Sequence, residues 1–251
     1  MSIIEAIIFG LIQGLSEFLP ISSSGHLVLF SRIFSTQGDF IFFSVLLHLA
    51  TLLAVLIYFY KDVIDLIKHP FCKKAQMIYL ATIPTVVLVL IFKSFVEDAF
   101  SGELLPFCFI LTAVLLVISQ VLSTKSTKKL TKGGAIAMGI AQGIATFPGI
   151  SRSGATICTG LILGYERNET ANFSFLMSIP IILASMAYEL LKGFKQGFGQ
   201  IFAVPTIVAF IVAFVAGLFS IKFMMWAVNK LKLYWFGIYL LIVGVISFFV
   251  V

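Results

Sequence analysis

Six long apolar runs, at 40–60, 77–95, 104–122, 170–191, 201–221 and 234–251, decide what this chain can become. Each approaches or exceeds the ~20 residues an α-helix needs to cross a bilayer. In hydrocarbon every backbone N–H and C=O must be paired within the protein, so runs of this length are expected to be helices. Only 11% of the residues are charged and mean hydropathy is +1.11, whereas about a quarter of a soluble domain is charged. The sequence therefore predicts an all-α integral membrane protein with six transmembrane helices. Residues 1–19 lack a basic leader and a small-residue cleavage site, so they are expected to belong to the mature fold. Cys72, Cys108 and Cys158 are odd in number and without metal-ligand spacing, which points to neither a disulfide framework nor a zinc site.

The chain contains itself twice. QGLSEFLPISSSGHL (13–27) aligns without gaps to QGIATFPGISRSGAT (142–156), with seven identities in fifteen positions at an offset of 129. The same offset sets the run 104–122 against the last run. A shorter one sets IPTVV (83–87) against VPTIV (204–208). The expected organisation is one membrane domain, 1–251, made of a first repeat at 1–122, a flexible lysine-rich linker at 123–132 and a second repeat at 133–251. Each repeat has one broken segment followed by three crossings, and an odd number of crossings inverts the second repeat relative to the first. Charge placement fits inversion. Twelve of the seventeen Lys and Arg fall on one side, Arg32, Lys93, Lys192 and Lys195 fall on the other, and Arg152 lies in the layer. The positive-inside rule then puts both termini outside.

Pro20 and the Pro148-Gly149 pair interrupt the two broken segments and free backbone groups that lipid cannot satisfy. Residues 2–32 and 133–164 are therefore predicted to be re-entrant helical hairpins that meet near mid-membrane; a proline-kinked crossing in each place is the alternative. After each break the chain restarts with SSSG (Ser22, Ser23, Ser24, Gly25) or SRSG (Ser151, Arg152, Ser153, Gly154). Helix N-termini offer unpaired N–H groups, serines add donors and glycine permits close approach, so each tip is a candidate anion site. Arg152 in the layer needs a counter-charge, supplied by phosphate or by Glu17. Thr156 lies one helical turn beyond Arg152, Gln13 one turn before Glu17, and His26 one turn after Ser22. Glu17, His26, the serines, Arg152 and Thr156 suffice for phosphoanhydride hydrolysis: a charge clamp, donors and an acid/base pair. His48 reads as a hydrogen-bonded interior histidine, His69 as a solvated one and Glu189 as a snorkelling acid.

The two long motifs resemble the signature regions of the bacterial undecaprenyl-diphosphate phosphatase family linked to bacitracin resistance. Gln13 and Glu17 match its (Glu or Gln)-x-x-x-Glu motif and His26 its histidine. Pro148, Gly149, Ser151, Arg152, Ser153 and Thr156 match Pro-Gly-x-Ser-Arg-Ser-x-x-Thr. The resemblance implies removal of the terminal phosphate of undecaprenyl diphosphate, which returns the monophosphate carrier to cell-wall synthesis and confers bacitracin resistance. It places the site at the outer face of the bacterial plasma membrane. It also implies a divalent cation, Ca2+ or Mg2+, with Glu17 and Gln13 as candidate ligands, although Gln13 removes one charged ligand. Arg152, Thr156 and the tip N–H groups would hold the diphosphate, Glu17 would act with the cation or as base, and Ser23 or His26 would attack or activate the attacking group. The expected partners are a polyprenyl diphosphate and the bilayer, with no nucleic acid; a homodimer is compatible with the sequence.

Two rivals share these features. Inverted repeats with broken helices also build transporters, in which Glu17 and His26 would couple protons. A second class of membrane lipid phosphatases carries Ser-Arg-x5-His-x3-Asp. Here Cys158 and Ile162 stand at the His and Asp positions, which rejects that class. No nucleotide-binding loop is present, so no ATP requirement is expected.

Overall fold

The structure, a computed structural model, describes residues 1–34, 40–123, 127–193 and 203–251. Among these, twelve helices form the fold. They are α1 (Ile3–Ser16), α2 (Ser23–Ile33), α3 (Phe40–Tyr58), α4 (Tyr60–Lys68), α5 (Lys73–Ile91), α6 (Lys93–Ala99), α7 (Leu105–Leu122), α8 (Lys132–Ile144), α9 (Arg152–Ile162), α10 (Arg167–Gly193), α11 (Val204–Lys230) and α12 (Tyr234–Ser247).

Helices α5, α7, α10 and α11 are each long and apolar enough to cross a bilayer. A fifth candidate is the pair α3 and α4, which bends by 83° at Phe59. Helix α12 has 14 residues, about 21 Å at ~1.5 Å per residue, shorter than a ~30 Å hydrocarbon core. The fold thus has four to five crossing candidates by length, against the six apolar runs of the sequence.

Both broken segments break where expected. Helix α1 ends at Ser16, ahead of Pro20, and α8 ends at Ile144, ahead of Pro148. Gly149 turns the second break with φ +94°, a conformation that favours glycine. Helices α1 and α2 pack on each other, as do α8 and α9. Helices α8 and α9 start 129 positions after α1 and α2, the offset of the sequence repeat.

The halves interlock. Helix α1 packs on α11, while α8 packs on α5. Glycines at matching positions make both contacts. A Cβ on Gly10 would stand 2.5 Å from the Ala209 carbonyl oxygen, and one on Gly139 would stand 2.1 Å from that of Ala81. Small residues four apart, Gly10 with Gly14 and Gly139 with Gly143, let backbones meet as they do between helices in lipid. This packing sets Ala81 against Ala209, an offset of 128, within one residue of the 129 of the long repeat, whereas the IPTVV/VPTIV match lies at 121.

The expectation of a flexible linker is corrected for its described part. Lys128 pairs with Tyr165 in an isolated parallel bridge, Leu130 is buried and donates its N–H to Glu169 Oε2 (3.1 Å), and Thr131 caps α8. A charged sequence reads as solvated, yet here its backbone is paired. The side chains of Glu189 and Lys192, and all of Lys195, lie outside the described residues. Behind the breaks a core of Phe18, Phe109, Phe175, Leu105 and Met138 is sealed from the surface, with Phe18 and Phe175 in edge contact at 5.4 Å. The three cysteines are free.

Candidate active site

The two restarts touch. A Cβ on Gly25 would stand 2.7 Å from Gly149 Cα. Gly149 N–H donates to Ser22 Oγ (3.1 Å), and Ser153 Oγ donates to the Leu19 carbonyl (2.9 Å). Each break thus satisfies backbone groups that the other has freed, as buried polar groups require. Ser22 caps α2 by accepting from Gly25 N–H (3.3 Å) and Ser151 caps α9 by accepting from Gly154 N–H (3.0 Å). The N–H groups of Ser23 and Ser24 in α2, and of Arg152 and Ser153 in α9, stand in the first helical turn, where no intrahelical acceptor exists.

Glu17 is the centre of the site, with 4% of its side chain exposed. Oε1 receives the Arg152 guanidinium in an ion pair. Oε2 accepts from Ser23 Oγ (2.5 Å) and from Gln13 Nε2 (3.1 Å), and His48 Nε2 lies 3.5 Å away. The counter-charge that Arg152 needs is therefore Glu17, across the contact between the halves. Only one end of the guanidinium is used, because the buried Nη1 has no protein partner. Gln13 is fully buried, donates also to Thr51 Oγ1 (3.3 Å), and leaves its own Oε1 without a partner.

His26 faces elsewhere. Its Nδ1 donates to the Ser22 carbonyl (2.8 Å), an acceptor only, so a neutral ring presents Nε2 to accept from Tyr239 O–H (2.7 Å). The imidazole lies between Tyr239, stacked at 5.6 Å, and Phe109, edge-on at 5.2 Å. Ser22 needs this support, since its φ of +67° is a conformation that non-glycine residues rarely adopt. Thr156 is also turned inward. Its hydroxyl is fully buried and bonded to Ser174 Oγ (2.6 Å) and the Arg152 carbonyl (2.8 Å). Ser151 and Ser153 are buried against each other (3.3 Å), and Ser24 is half-buried.

Sequence reasoning missed part of the surround. His48 does hydrogen-bond internally, its Nδ1 donating to Ser44 O (2.7 Å), but its other nitrogen faces Glu17. Thr51, Tyr239, Thr112 and Ser174 also hold site residues, Thr112 by accepting Ser151 N–H (3.2 Å). One signal was available: His48 and Thr51 are polar residues three apart in an apolar run, and so share a helix face. Tyr239 and Ser174 carry no such mark.

A family model described as bacitracin resistance protein BacA matches residues 6–246. The chain belongs to that family. Both segments of the candidate site, 13–26 and 148–156, lie within the matched stretch. An undecaprenyl-diphosphatase of Carboxydothermus hydrogenoformans is 42% identical over 250 residues, covering 98% of this chain and 96% of that protein. One of Halothermothrix orenii is 40% identical over 253 residues, covering 98% and 96%. One of Bacteroides thetaiotaomicron is 41% identical over 258 residues, covering 97% of each.

Proposed function

We propose that this chain is an undecaprenyl-diphosphate phosphatase that releases inorganic phosphate and returns undecaprenyl phosphate to cell-wall synthesis, conferring bacitracin resistance. The observation that carries the reading is the Glu17–Arg152 pair joining the C-terminal end of α1 to the first residue of α9, with Ser23 on the carboxylate and the far guanidinium nitrogen unpartnered. Full-length similarity to proteins named undecaprenyl-diphosphatase supports the choice of substrate.

In this reading Arg152 Nη1 and the open N–H groups of α2 and α9 hold the diphosphate, which suits an arginine fork and a helix N-terminus. Ser23 Oγ attacks the terminal phosphorus while its proton passes to Glu17 Oε2. The bond from that phosphorus to the bridging oxygen breaks, and the lipid monophosphate leaves. Water then hydrolyses the phosphoserine, giving inorganic phosphate and restoring the serine. His26 and Thr156 act by positioning, His26 on the Ser22 turn and Thr156 on the first turn of α9. Ser22, Ser24, Gly25, Ser151, Ser153 and Gly154 shape the phosphate cradle.

The donor set bears on the cation. Glu17 and the unpartnered Gln13 Oε1 offer two oxygens, and no cluster of three or more His, Cys, Asp or Glu exists among the described residues. Ca2+ takes about six to eight oxygens, whereas Mg2+ is held by one or two carboxylates together with substrate phosphates. Of the two donors, Glu17 is already committed, Oε1 to Arg152 and Oε2 to Ser23 and Gln13 Nε2, so the residues as placed do not fit a resident cation and no step is routed through one.

The membrane placement belongs to the same proposal: six crossings by α3, α5, α7, α10, α11 and α12, an inverted second half with re-entrant tips, and a site opening to the outer face of the plasma membrane. Charge asymmetry supports it, because lysines 61, 68, 73, 74, 128, 129 and 132 gather at one end of the chain's crossings. The test is phosphate release from undecaprenyl or farnesyl diphosphate by purified protein, with and without divalent cation. Lipid binding without release under any cation would sink the phosphatase and favour transport.

A further inference from the structure

Helix α4 is built unlike its neighbours. It contains no buried residue, yet it is strongly two-faced. Tyr60, Val63, Ile64 and Ile67 recur at the spacing of one helical face, Lys61 and Lys68 flank that face, and Asp65 lies on the far side. Val63 and Leu66 rest on the core. Beside them Tyr60 (53%), Ile64 (47%) and Ile67 (74%) stay exposed, and the stripe continues to Phe71 (82%) in the turn beyond. Water is a poor neighbour for such a stripe, whereas the boundary between headgroups and acyl chains suits it.

Orientation points the same way. Helix α4 leaves α3 at 83°, and transmembrane helices tilt by only ~20° on average, so α4 runs near the bilayer plane. The lipid-facing surface of α3, with Ile57 and Tyr58 exposed, runs directly into the stripe. The angle is braced, because Asp62 of α4 accepts from Lys74 Nζ of α5 at 2.7 Å. The charges suit an anionic surface. Lys61 lies over the Tyr60 ring (5.8 Å), and Lys68 and His69 line an open cleft of about 470 Å³ with Pro70, Phe71 and Cys72. His69 lies 3.9 Å from Asp65, on the polar face.

We propose that α4 and the turn at 68–72 form an interfacial anchor that seats on the anionic phospholipid headgroups of the leaflet at that end of the bundle. Ile64, Ile67 and Phe71 enter the acyl boundary, while Lys61 and Lys68 reach the phosphates. The proposal rests on the membrane placement given above, and it uses none of the residues assigned to hydrolysis.

The full chain would be reconstituted in phosphatidylcholine vesicles with and without phosphatidylglycerol. A nitroxide would be attached at Ile67→Cys or at Asp65→Cys, each with Cys72→Ser, since Cys108 and Cys158 are buried. The expected result is a label at 67 that oxygen relaxes and a water-soluble nickel chelate does not, with the reverse at 65. Raising phosphatidylglycerol should drive the label at 67 deeper, and Lys61→Gln with Lys68→Gln should abolish that response. Equal access of the chelate to both positions would overturn the proposal, as would oxygen access to both, which would make α4 part of a crossing. A two-faced pattern indifferent to phosphatidylglycerol would overturn the anionic headgroup assignment. Phosphate release measured in the same vesicles reports separately on the phosphatase, so either reading can fail without the other.

Discussion

Glu17 and Arg152, 135 positions apart, meet in one ion pair with 4% and 16% of their side chains exposed. No local motif could hold both. The pair exists because two broken segments from different halves end against each other, and each end also satisfies the other's free backbone groups. Removing one partner of a buried pair strands the other charge, at a cost of ~3–5 kcal/mol. Arg152→Ala should therefore lower thermal stability in detergent as well as abolish phosphate release. Glu17→Gln with Arg152→Met should recover most of the stability and none of the release. A double variant no more stable than Arg152→Ala would show that the pair does not hold the tips.

Ser23 and Glu17 have the geometry of a nucleophile and its base, at 2.5 Å. Ser23→Ala removes one hydroxyl from a half-turn that Ser22 caps, so the fold should persist. Turnover should fall by at least ~100-fold, the lower range of a lost general acid–base step. Rapid quench with phosphorus-labelled substrate should trap a phosphoserine in the wild type and none in the variant. Solvent oxygen-18 entering the phosphate in the first turnover, with no trapped serine, would instead require direct attack by water on the lipid diphosphate.

The two helix breaks and their offset were legible in the sequence because proline and glycine punctuate the backbone locally, and the serine restarts are local too. Arg152 was legible as a charge in need of a partner, since an unpaired arginine in lipid is costly. The orientations of the His26 and Thr156 side chains were not. Their one-turn spacings from Ser22 and Arg152 were visible, but which way each side chain turns depends on Tyr239 of α12 and Ser174 of α10, and no periodicity encodes those contacts. The Pro-Thr pair repeats in sequence at the shorter offset, whereas the contacts that Gly10 and Gly139 make in space pair Ala209 with Ala81, and no periodicity encodes those contacts.

Tyr239 gives a graded test of the positioning role proposed for His26. Tyr239→Phe keeps the stacked ring and removes the hydroxyl that His26 Nε2 accepts from. One hydrogen bond is worth ~1 kcal/mol net, about a five-fold effect. A fall of that order in kcat, with KM nearly unchanged, is expected. His26→Ala frees the Ser22 turn as well and should cost far more. A Tyr239→Phe variant as impaired as His26→Ala would mean the histidine's proton takes part in the chemistry.

His48 donates to Ser44 O and sets its other nitrogen 3.5 Å from Glu17 Oε2. His48→Gln retains a polar group within reach of the carboxylate, and His48→Ala does not. The glutamine variant should keep most of the activity and the alanine variant should lose ~10-fold or more, consistent with the loss of a polar partner to a buried charge. Equal activity in both, measured by phosphate release, would remove His48 from the site.

Interlocking of the halves rests on glycine, and two positions in α8 test it against each other. A Cβ at Gly139 would lie 2.1 Å from Ala81 O and 2.7 Å from Ala81 Cα, both backbone atoms that no rotamer change can move. At Gly133, in the first turn of the same helix, a Cβ would meet only Thr131 Oγ1 at 3.9 Å. Alanine favours helix over glycine by ~1 kcal/mol, so Gly133→Ala should leave the unfolding midpoint in detergent unchanged or raise it. Gly139→Ala brings the same propensity gain against an overpacking cost of ~1–3 kcal/mol or more, so its midpoint should fall. Because α8 leads through the break into α9, which begins at Arg152, activity should fall with it. If both variants behave alike, the close approach of α8 to α5 is not what aligns the two tips.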